Sequence, residues 1–404
     1  MLRESNPADF GAGTSLPYTQ QAINKGLKSS MRVLAIVPSL YDTSPGQRFR
    51  IEQWEPILKE RGVEITYAPF SNEQLAGLLY QQGHSASKLA GVTAGFARRF
   101  RLISSVRQFD AIYIFREAAL FGPPIFESLI RRTRIPIVFD FDDAIFVSYR
   151  SPSNGYLSYL KFAGKTSKIC EMSAHVMVGN PYLAEYARRV NPNVTVIPTT
   201  IDLNKYEVRE ADPAKEYPVI GWTGSFSTVQ HLDTLRGALE KLARRERFKL
   251  RVIGTPQYEI EGVEVEAMPW RAQSEIEDLA PCDIGIMPLP DDKWSKGKCG
   301  LKALQFMALG IPTICSPVGV NTEIIQDGEN GFIAGTEDEW VEKLAQLIRS
   351  SDLRQRIGLA GRRTVEQKYP AEVQAPRVFE IFQSVVQQSA QDAAAMMRSA
   401  STAV

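Results

Sequence analysis

The chain of 404 residues has no apolar run approaching 18 residues, so nothing in it reads as a membrane span. Cysteine is scarce. Cys170, Cys282, Cys299 and Cys315 form no CxxC pair and no metal-ligand spacing, which suits free thiols in a reducing compartment. Histidine is scarcer still: His84, His175 and His231 are scattered, and none stands in an evident base position. Residues 1–30 lack the apolar stretch of a secretory leader and read as a flexible polar tail. A cytoplasmic protein is therefore expected. The first strand-like run is not followed by G-x-G-x-x-G, which argues against NAD or FAD, and the absence of G-x-x-x-x-G-K-[ST] excludes a P-loop NTPase. No nucleic-acid module is recognisable either, so nucleic acid is not an expected partner.

What is present is ordinary globular composition, 44% hydrophobic and 23% charged, in a chain long enough for two domains. Short β-branched runs alternate with helix-length segments. MRVLAIVPSL (31–40), VEITYAPF (63–70), FDAIYIFR (109–116), IPIVFDFD (135–142), AHVMVGN (174–180) and VTVIP (194–198) read as strands. Helices are expected at Gln47–Arg61, Pro123–Arg132 and Tyr156–Met172. Periodicity then lapses over Thr199–Pro218, a polar connector, and a second series begins. Its strands are 218–225, 248–254, 263–270, 282–289 and 311–317. Such alternation predicts an α/β fold of two doubly wound parallel-sheet domains, over 31–205 and 206–375, facing each other across a cleft. Residues 376–404 are expected to form a helix that packs back toward the first domain and then frays. Ligands of such sheets sit at the carboxyl ends of the strands.

Charge divides unevenly. Residues 31–205 hold 21 Lys/Arg against 15 Asp/Glu, and residues 206–404 hold 23 against 29. A basic first half fits an anionic partner, a phosphate-bearing substrate or a membrane surface, although chance segregation would look the same. Arg48 and Arg50 precede a helix in a Ser/Pro/Gly loop, where they would hold a phosphate or acceptor, or simply lie on the surface. Asp140, Asp142 and Asp143 end a strand; ligand hydroxyls, a metal or a helix cap would each account for them. In KLAGVTAGFARRFRLISSVRQF (88–109), Leu89, Val92, Phe96, Phe100 and Ile103 form a helical stripe flanked by Arg98, Arg99, Arg101 and Arg107. The stripe faces either the core or an anionic membrane.

The densest stretch is 293–325. Lys296, Lys298 and Lys302 surround Gly297 and Gly300 where a helix begins, a composition suited to cradling a diphosphate. Cys299, between them, reads as small and buried, and Leu301, Leu304 and Met307 as helix core.

Gly-Lys-Cys-Gly-Leu-Lys-Ala-Leu-Gln-Phe-Met-Ala-Leu-Gly-Ile-Pro (297–312) resembles the donor motif of retaining glycosyltransferases of family 4. AHVMVGNPYLAEYARRVNPNVTVIPTTID (174–202) and SPVGVNTEIIQDGENGFIA (316–334) resemble two further motifs of that family, in the same order. The resemblance implies a GT-B fold, with a nucleotide-sugar donor on the second domain and a glycan or lipid-linked acceptor on the first. It implies donor contacts by Gly297, Cys299, Gly300, Gln305 (ribose), Glu323, and the backbone of Gly319, Val320 and Asn321. Gly224 and Ser225 fall in the glycine-rich loop that faces the diphosphate. Asp142 would face the reacting sugar, with Asp143, Arg48 and Arg50 toward the acceptor or phosphate. Two departures stand out: Gly297 replaces the first glutamate of Glu-x7-Glu, and Ser225 and Gln230 replace an Arg and a Lys. Lys298 and Lys302 would then neutralise the diphosphate without a metal or other cofactor. The implied activity is retaining transfer of a hexosyl group from a UDP- or GDP-sugar. A non-catalytic sugar-nucleotide-binding subunit and a sugar-nucleotide epimerase are the alternatives on this scaffold.

Overall fold

The computed structural model describes residues 30–78, 84–147, 162, 164–208, 215–224 and 228–402. The polar tail, Ser225, the first half of the helix expected over Tyr156–Met172 and part of the connector lie outside them.

Two six-stranded, all-parallel sheets account for the strands of the described residues. The first comprises β1 (Met31–Val37), β2 (Val63–Pro69), β3 (Ala111–Phe115), β4 (Ile137–Phe141), β5 (His175–Val178) and β6 (Val194–Val196), in the order β2-β1-β3-β4-β5-β6. The second comprises β7 (Val219–Thr223), β8 (Lys249–Ile253), β9 (Glu264–Met268), β10 (Ile284–Met287), β11 (Thr313–Cys315) and β12 (Phe332–Ile333), in the order β12-β11-β10-β7-β8-β9. Central strands are buried along their whole length, because helices cover both faces of a parallel sheet: β3, β4, β7, β10 and β11 have no exposed residue. The edge strand β9 carries Glu264 and Glu266 and keeps one side wet.

Strand order reverses between β1 and β3 in the first sheet and between β7 and β10 in the second. Loops leaving adjacent strands diverge at such a point, and the crevice between them is where doubly wound sheets bind ligands. The residues at these two crevices are Gly46 and Arg116 in the first domain, and Thr228, His231 and the 288–300 loop in the second.

The C-terminal helix Ala371–Thr402 belongs to the first domain's core. Ala375, Val378, Phe382 and Val385 share one apolar cluster with Val33, Trp54, Tyr113 and Met177. The chain thus crosses between domains twice, and the crossings meet: Ile201 N–H donates to Tyr369 O at 2.8 Å. Past Gln388 the helix continues, its side chains exposed from Gln391 to Ser399.

The segment expected as one helix from Gln47 runs instead from Pro45 as three consecutive pieces, Pro45–Gln47, a π-helical Arg48–Glu52 and Gln53–Glu60. The wider turn follows from Arg50, whose φ of −127° and ψ of −114° leave helical geometry. Its side chain points inward. Nε and Nη2 donate to the two oxygens of Asp140 at 2.7 and 2.6 Å, Nη1 donates to Ile197 O at 2.5 Å, and neither side chain is exposed. Tyr113 Oη donates to the same carboxylate at 2.6 Å, and Trp54 stacks beneath the guanidinium. Burial works against the Arg50 cation, but Asp140 outweighs it and holds the group above its ordinary range. Arg50 is therefore a strut between the helix and β4, not a surface or acceptor-binding arginine. Arg99 is a second strut: Nε, Nη1 and Nη2 donate to Ala118 O, Ala68 O and Val37 O at 2.6–2.9 Å.

Removing one partner of a buried, hydrogen-bonded ion pair leaves an uncompensated charge, at a cost of about 3–5 kcal/mol. Asp140→Asn should therefore lower the unfolding free energy of the first domain by that order in denaturant titration. A change near zero would mean Arg50 finds another acceptor.

Candidate functional site

The two strand-order reversals face each other, and the loops between them enclose a cavity of about 160 Å³. Gly46, Arg116, Asp142 and Asp143 line it from the first domain; Thr228, His231, Lys298, Gly300 and Lys302 line it from the second. A typical small-molecule pocket holds about 300–1,000 Å³. The cleft is thus nearly closed here, smaller than such a pocket.

Closure is specific. Lys298 Nζ donates to Asp143 Oδ1 at 2.7 Å and lies over the Trp294 ring. Cys299 Sγ donates to Asp142 O at 3.1 Å. Asn180 caps its own helix through Leu183 N–H at 2.9 Å and gives Nδ2–H to Lys296 O and Lys298 O at 3.2 and 3.0 Å. A Cβ at Gly297 would stand 2.6 Å from both the backbone N and the Cβ of Ala144. Glycine is required at 297 because two backbones touch there, and a glutamate would hold the domains apart. Arg48, expected near a phosphate, instead bridges Asp42 and Glu275 of the opposite domain at 2.8 and 3.0 Å.

On the first-domain wall Arg116 sits at φ 60°, in the left-handed region that a bulky residue enters only at some cost. The turn aims its guanidinium at the strand-end acids: Nε to Asp142 Oδ1 at 2.7 Å and Nη2 to Asp143 Oδ2 at 2.9 Å. Burial alone would raise the Asp142 carboxyl, but Arg116, Arg50 and Lys298 outweigh it and hold it below the ordinary range. Asp142 and Asp143 both line the cavity and are both paired with cations. Among the described residues no three His, Cys, Asp or Glu side chains are grouped to hold a metal ion.

The second-domain wall differs. Helix Leu301–Ala308 opens at Gly300, whose φ of 75° leaves the N-terminal N–H groups without a side-chain cap. Lys302 projects from its first turn. Its Nζ lies 4.5 Å from the Trp222 ring centroid and has no carboxylate partner among the described residues. Burial, reinforced by the charge of Lys298, pulls Lys302 down to about 7 from an ordinary 10.5. His231 is 3% exposed, and burial followed by Lys302 and Lys298 pulls it to about 4. Trp222 Nε1 and His231 Nδ1 are both buried without a hydrogen-bond partner among the described residues. Buried polar groups are normally paired, so these two nitrogens and the Lys302 ammonium, without partners among the described residues, set this wall apart from the first-domain one.

Of the residues expected to bind donor, Lys298, Gly300, Lys302 and Asp142 meet here, and Cys299 lines the wall as a buried thiol. Gly224 borders the site, packed on Trp222 and Thr228. The others do not line the cavity. Gln305 is 2% exposed and gives Nε2–H to Tyr206 Oη at 3.0 Å, so its amide faces the interior rather than a ribose in this closed form. Glu323 is exposed on the short helix Asn321–Ile324, and Asn321 is buried with Nδ2 on Ser316 O. Gly319 and Val320 pack behind the 296–300 loop, where a Cβ at Gly319 would stand 2.8 Å from Lys296 O. Arg116, Thr228 and His231 were not anticipated. Arg116 ends a predicted strand, the same signal that marked Asp142, whereas His231 became visible only once helix Val229–Asp233 was placed opposite Lys302.

Residues 217–350 match the model of the family described as glycosyl transferases group 1. Spore coat protein SA of Bacillus subtilis (strain 168) is 35% identical over 68 residues, 16% of this chain and 18% of that protein. Among solved structures, sucrose-phosphate synthase from Thermosynechococcus elongatus superposes with a TM-score of 0.65 at 15% identity, covering 89% of this chain and all of that one. HepE of Anabaena, solved with UDP and glucose, superposes with a TM-score of 0.62 at 15% identity, covering 88% of this chain and all of that one. The chain therefore has the GT-B fold, two Rossmann-like domains across a cleft. Its second domain carries the stretch that resembles the group 1 glycosyltransferases.

A lysine held near 7 in the folded state and 10.5 unfolded costs stability below pH 7, and the cost fades as pH rises between the two values. Lys302→Met should therefore raise Tm at pH 6.5, with the gain shrinking toward pH 10. A loss of Tm at pH 6.5 would make Lys302 a structural cation instead.

Proposed function

We propose that this protein is a retaining glycosyltransferase that moves a hexosyl group from a UDP- or GDP-sugar to a hydroxyl of a glycan or lipid-linked acceptor. The observation that carries the reading is the cavity wall of Lys302, His231 and the uncapped start of helix Leu301–Ala308, facing Asp142 across the cleft. A diphosphate lying against Lys302 and the helix N-terminus would have its charge met without a metal ion. Lys298 would join it by exchanging Asp143 for a phosphate oxygen. Asp142, charged and held by Arg116, would accept hydrogen bonds from hydroxyls of the donor sugar. As the bond between the anomeric carbon and the diphosphate oxygen breaks, the acceptor oxygen would attack from the same face and pass its proton to the departing diphosphate. Rate enhancement would rest on positioning and on cations aimed at the developing charge.

A membrane-bound acceptor is supported by helix Ser85–Ile103. Residues 84–109 contain no acidic residue, and Leu89 and Phe100 are 68% and 56% exposed. Val92, Phe96 and Ile103 of the same stripe pack inward, so only its two ends would reach an anionic bilayer. No described helix is long and apolar enough to cross a membrane. The second reading, a binding subunit without catalysis, is favoured by Gly297, where contact with Ala144 leaves no room for an acidic side chain.

Thermal stabilisation against UDP-, GDP-, ADP- and dTDP-sugars, with and without Mg²⁺, tests the donor. One nucleotide family should stabilise the protein, without a metal requirement, and Lys298→Ala or Lys302→Ala should cut transfer at least about tenfold, as loss of a charged hydrogen bond does. Binding with no transfer to any acceptor would favour the binding subunit, and isomerised donor without acceptor would mean an epimerase. Because Lys302 sits near 7 when the cavity is empty and must be charged when it is filled, donor affinity should fall about tenfold per pH unit above 7. Lys302→Arg should flatten that profile.

A further inference from the structure

We propose that His231 is a donor-binding residue, its imidazole N–H donating to the diphosphate beside Lys302; the inference rests on the reading of this cavity as a nucleotide-sugar site. His231 enters the wall from helix Val229–Asp233, one turn past the end of β7, so it reaches the strand-order reversal from the side opposite the 298–302 loop.

Its surroundings decide what it can do. Lys302 and Lys298 face it from the donor loop, with Asp292 more weakly from the same loop; Arg116, Asp142 and Asp143 close the far wall of the cavity. Two nearby cations together with burial keep the ring neutral at physiological pH. It is therefore neither a permanent cation nor a base held ready by a carboxylate, as no carboxylate touches it. A neutral imidazole still carries one N–H and one lone pair. Nδ1 is enclosed with no partner among the described residues, in a residue 3% exposed. A buried histidine retained for packing would normally satisfy its ring nitrogens on the backbone or a hydroxyl. The ring lines the cavity, so with the tautomer that keeps its N–H on the cavity side it would donate to an acceptor that enters there.

The neighbours define that acceptor. Lys302, leaning on Trp222 and without a carboxylate partner among the described residues, stands on the same wall, so an anionic group would suit the space. A diphosphate is the part of a nucleotide sugar that accepts from an N–H and an ammonium together. The glycine-rich turn after β7 otherwise offers only hydroxyl and amide side chains at Ser225, Thr228 and Gln230. His231 thus supplies on that turn a donor that does not depend on a fixed positive charge.

The test compares His231→Phe and His231→Gln with the unaltered protein in calorimetric titration at pH 7.5, using UDP-glucose or GDP-mannose, whichever the unaltered protein binds. Phenylalanine preserves the ring's volume and removes the N–H; glutamine restores a donor. His231→Phe should weaken the nucleotide sugar about tenfold, the order of a hydrogen bond to a charged group, while leaving the free nucleoside unchanged. His231→Gln should recover most of the loss. Phenylalanine binding as tightly as histidine would overturn the proposal and reduce His231 to packing. Equal losses for nucleoside and nucleotide sugar, or loss in the glutamine variant as well, would also overturn it, since both report shape rather than donation. Binding of neither nucleotide sugar by the unaltered protein would instead fell the proposed function, which keeps the two failures apart.

Discussion

The contact on which this molecule depends is the meeting of two backbones at Gly297 and Ala144. Each domain is a parallel sheet with its own helices, and their cores touch at the boundary, where Cys299 joins the first domain's apolar cluster and Phe49 the second's. The approach at Gly297, closer than any side chain permits, brings the 296–300 loop onto the end of β4. Asn180 fastens it through two carbonyls, Cys299 through Asp142 O, and Lys298 through Asp143. Everything chemical about the cavity follows from that closeness. Lys302 and His231 line one cavity with Arg116, Asp142 and Asp143 of the first domain, and Arg116, with Lys298 beside it, holds the Asp142 carboxyl below its ordinary range.

The two walls show opposite electrostatic solutions. On the first domain, acids and bases are paired: Asp142 and Asp143 share Arg116, and deeper in the sheet Asp140 is matched by Arg50. On the second, Lys302 has a ring beneath it instead of a counter-charge, and His231 is neutral. The first wall is internally paired; the second keeps buried polar groups without partners among the described residues. Such a wall costs stability in the empty protein, which is the usual condition of a binding site. The salt bridge between Lys298 and Asp143 links the two, since an arriving anion competes with Asp143 for the same ammonium.

Arg48, Arg50 and Arg99 show why residue type alone misleads. All three looked like anion binders in a basic half-chain. Arg50 is consumed by Asp140, Tyr113 and Ile197; Arg99 donates to three carbonyls at strand ends; Arg48 spans the domains. A planar five-donor group is suited to gathering loose carbonyls at the carboxyl edge of a sheet, and these arginines do that structural work. The charges left at the cleft are fewer and better placed than the count suggested.

The sequence by itself determined the architecture. Apolar β-branched runs of four to eight residues, separated by helix-length segments, admit little else than covered parallel sheets, and the lapse after Thr199 marked the second domain. It also determined the lysine- and glycine-rich loop before Leu301, because composition and helix start coincide there. What tertiary structure decided was which side chains share the cavity. Gln305 matched a donor motif yet turns to Tyr206, and Glu323 lies outside the closed wall, since motif position fixes the backbone and packing fixes the side chain. Arg116 and His231 are joined to Asp142 and Lys302 across many residues by strand order and domain closure. Periodicity reports which face of an element is buried; only the pairing of sheets and the approach at Gly297 determine what that face meets.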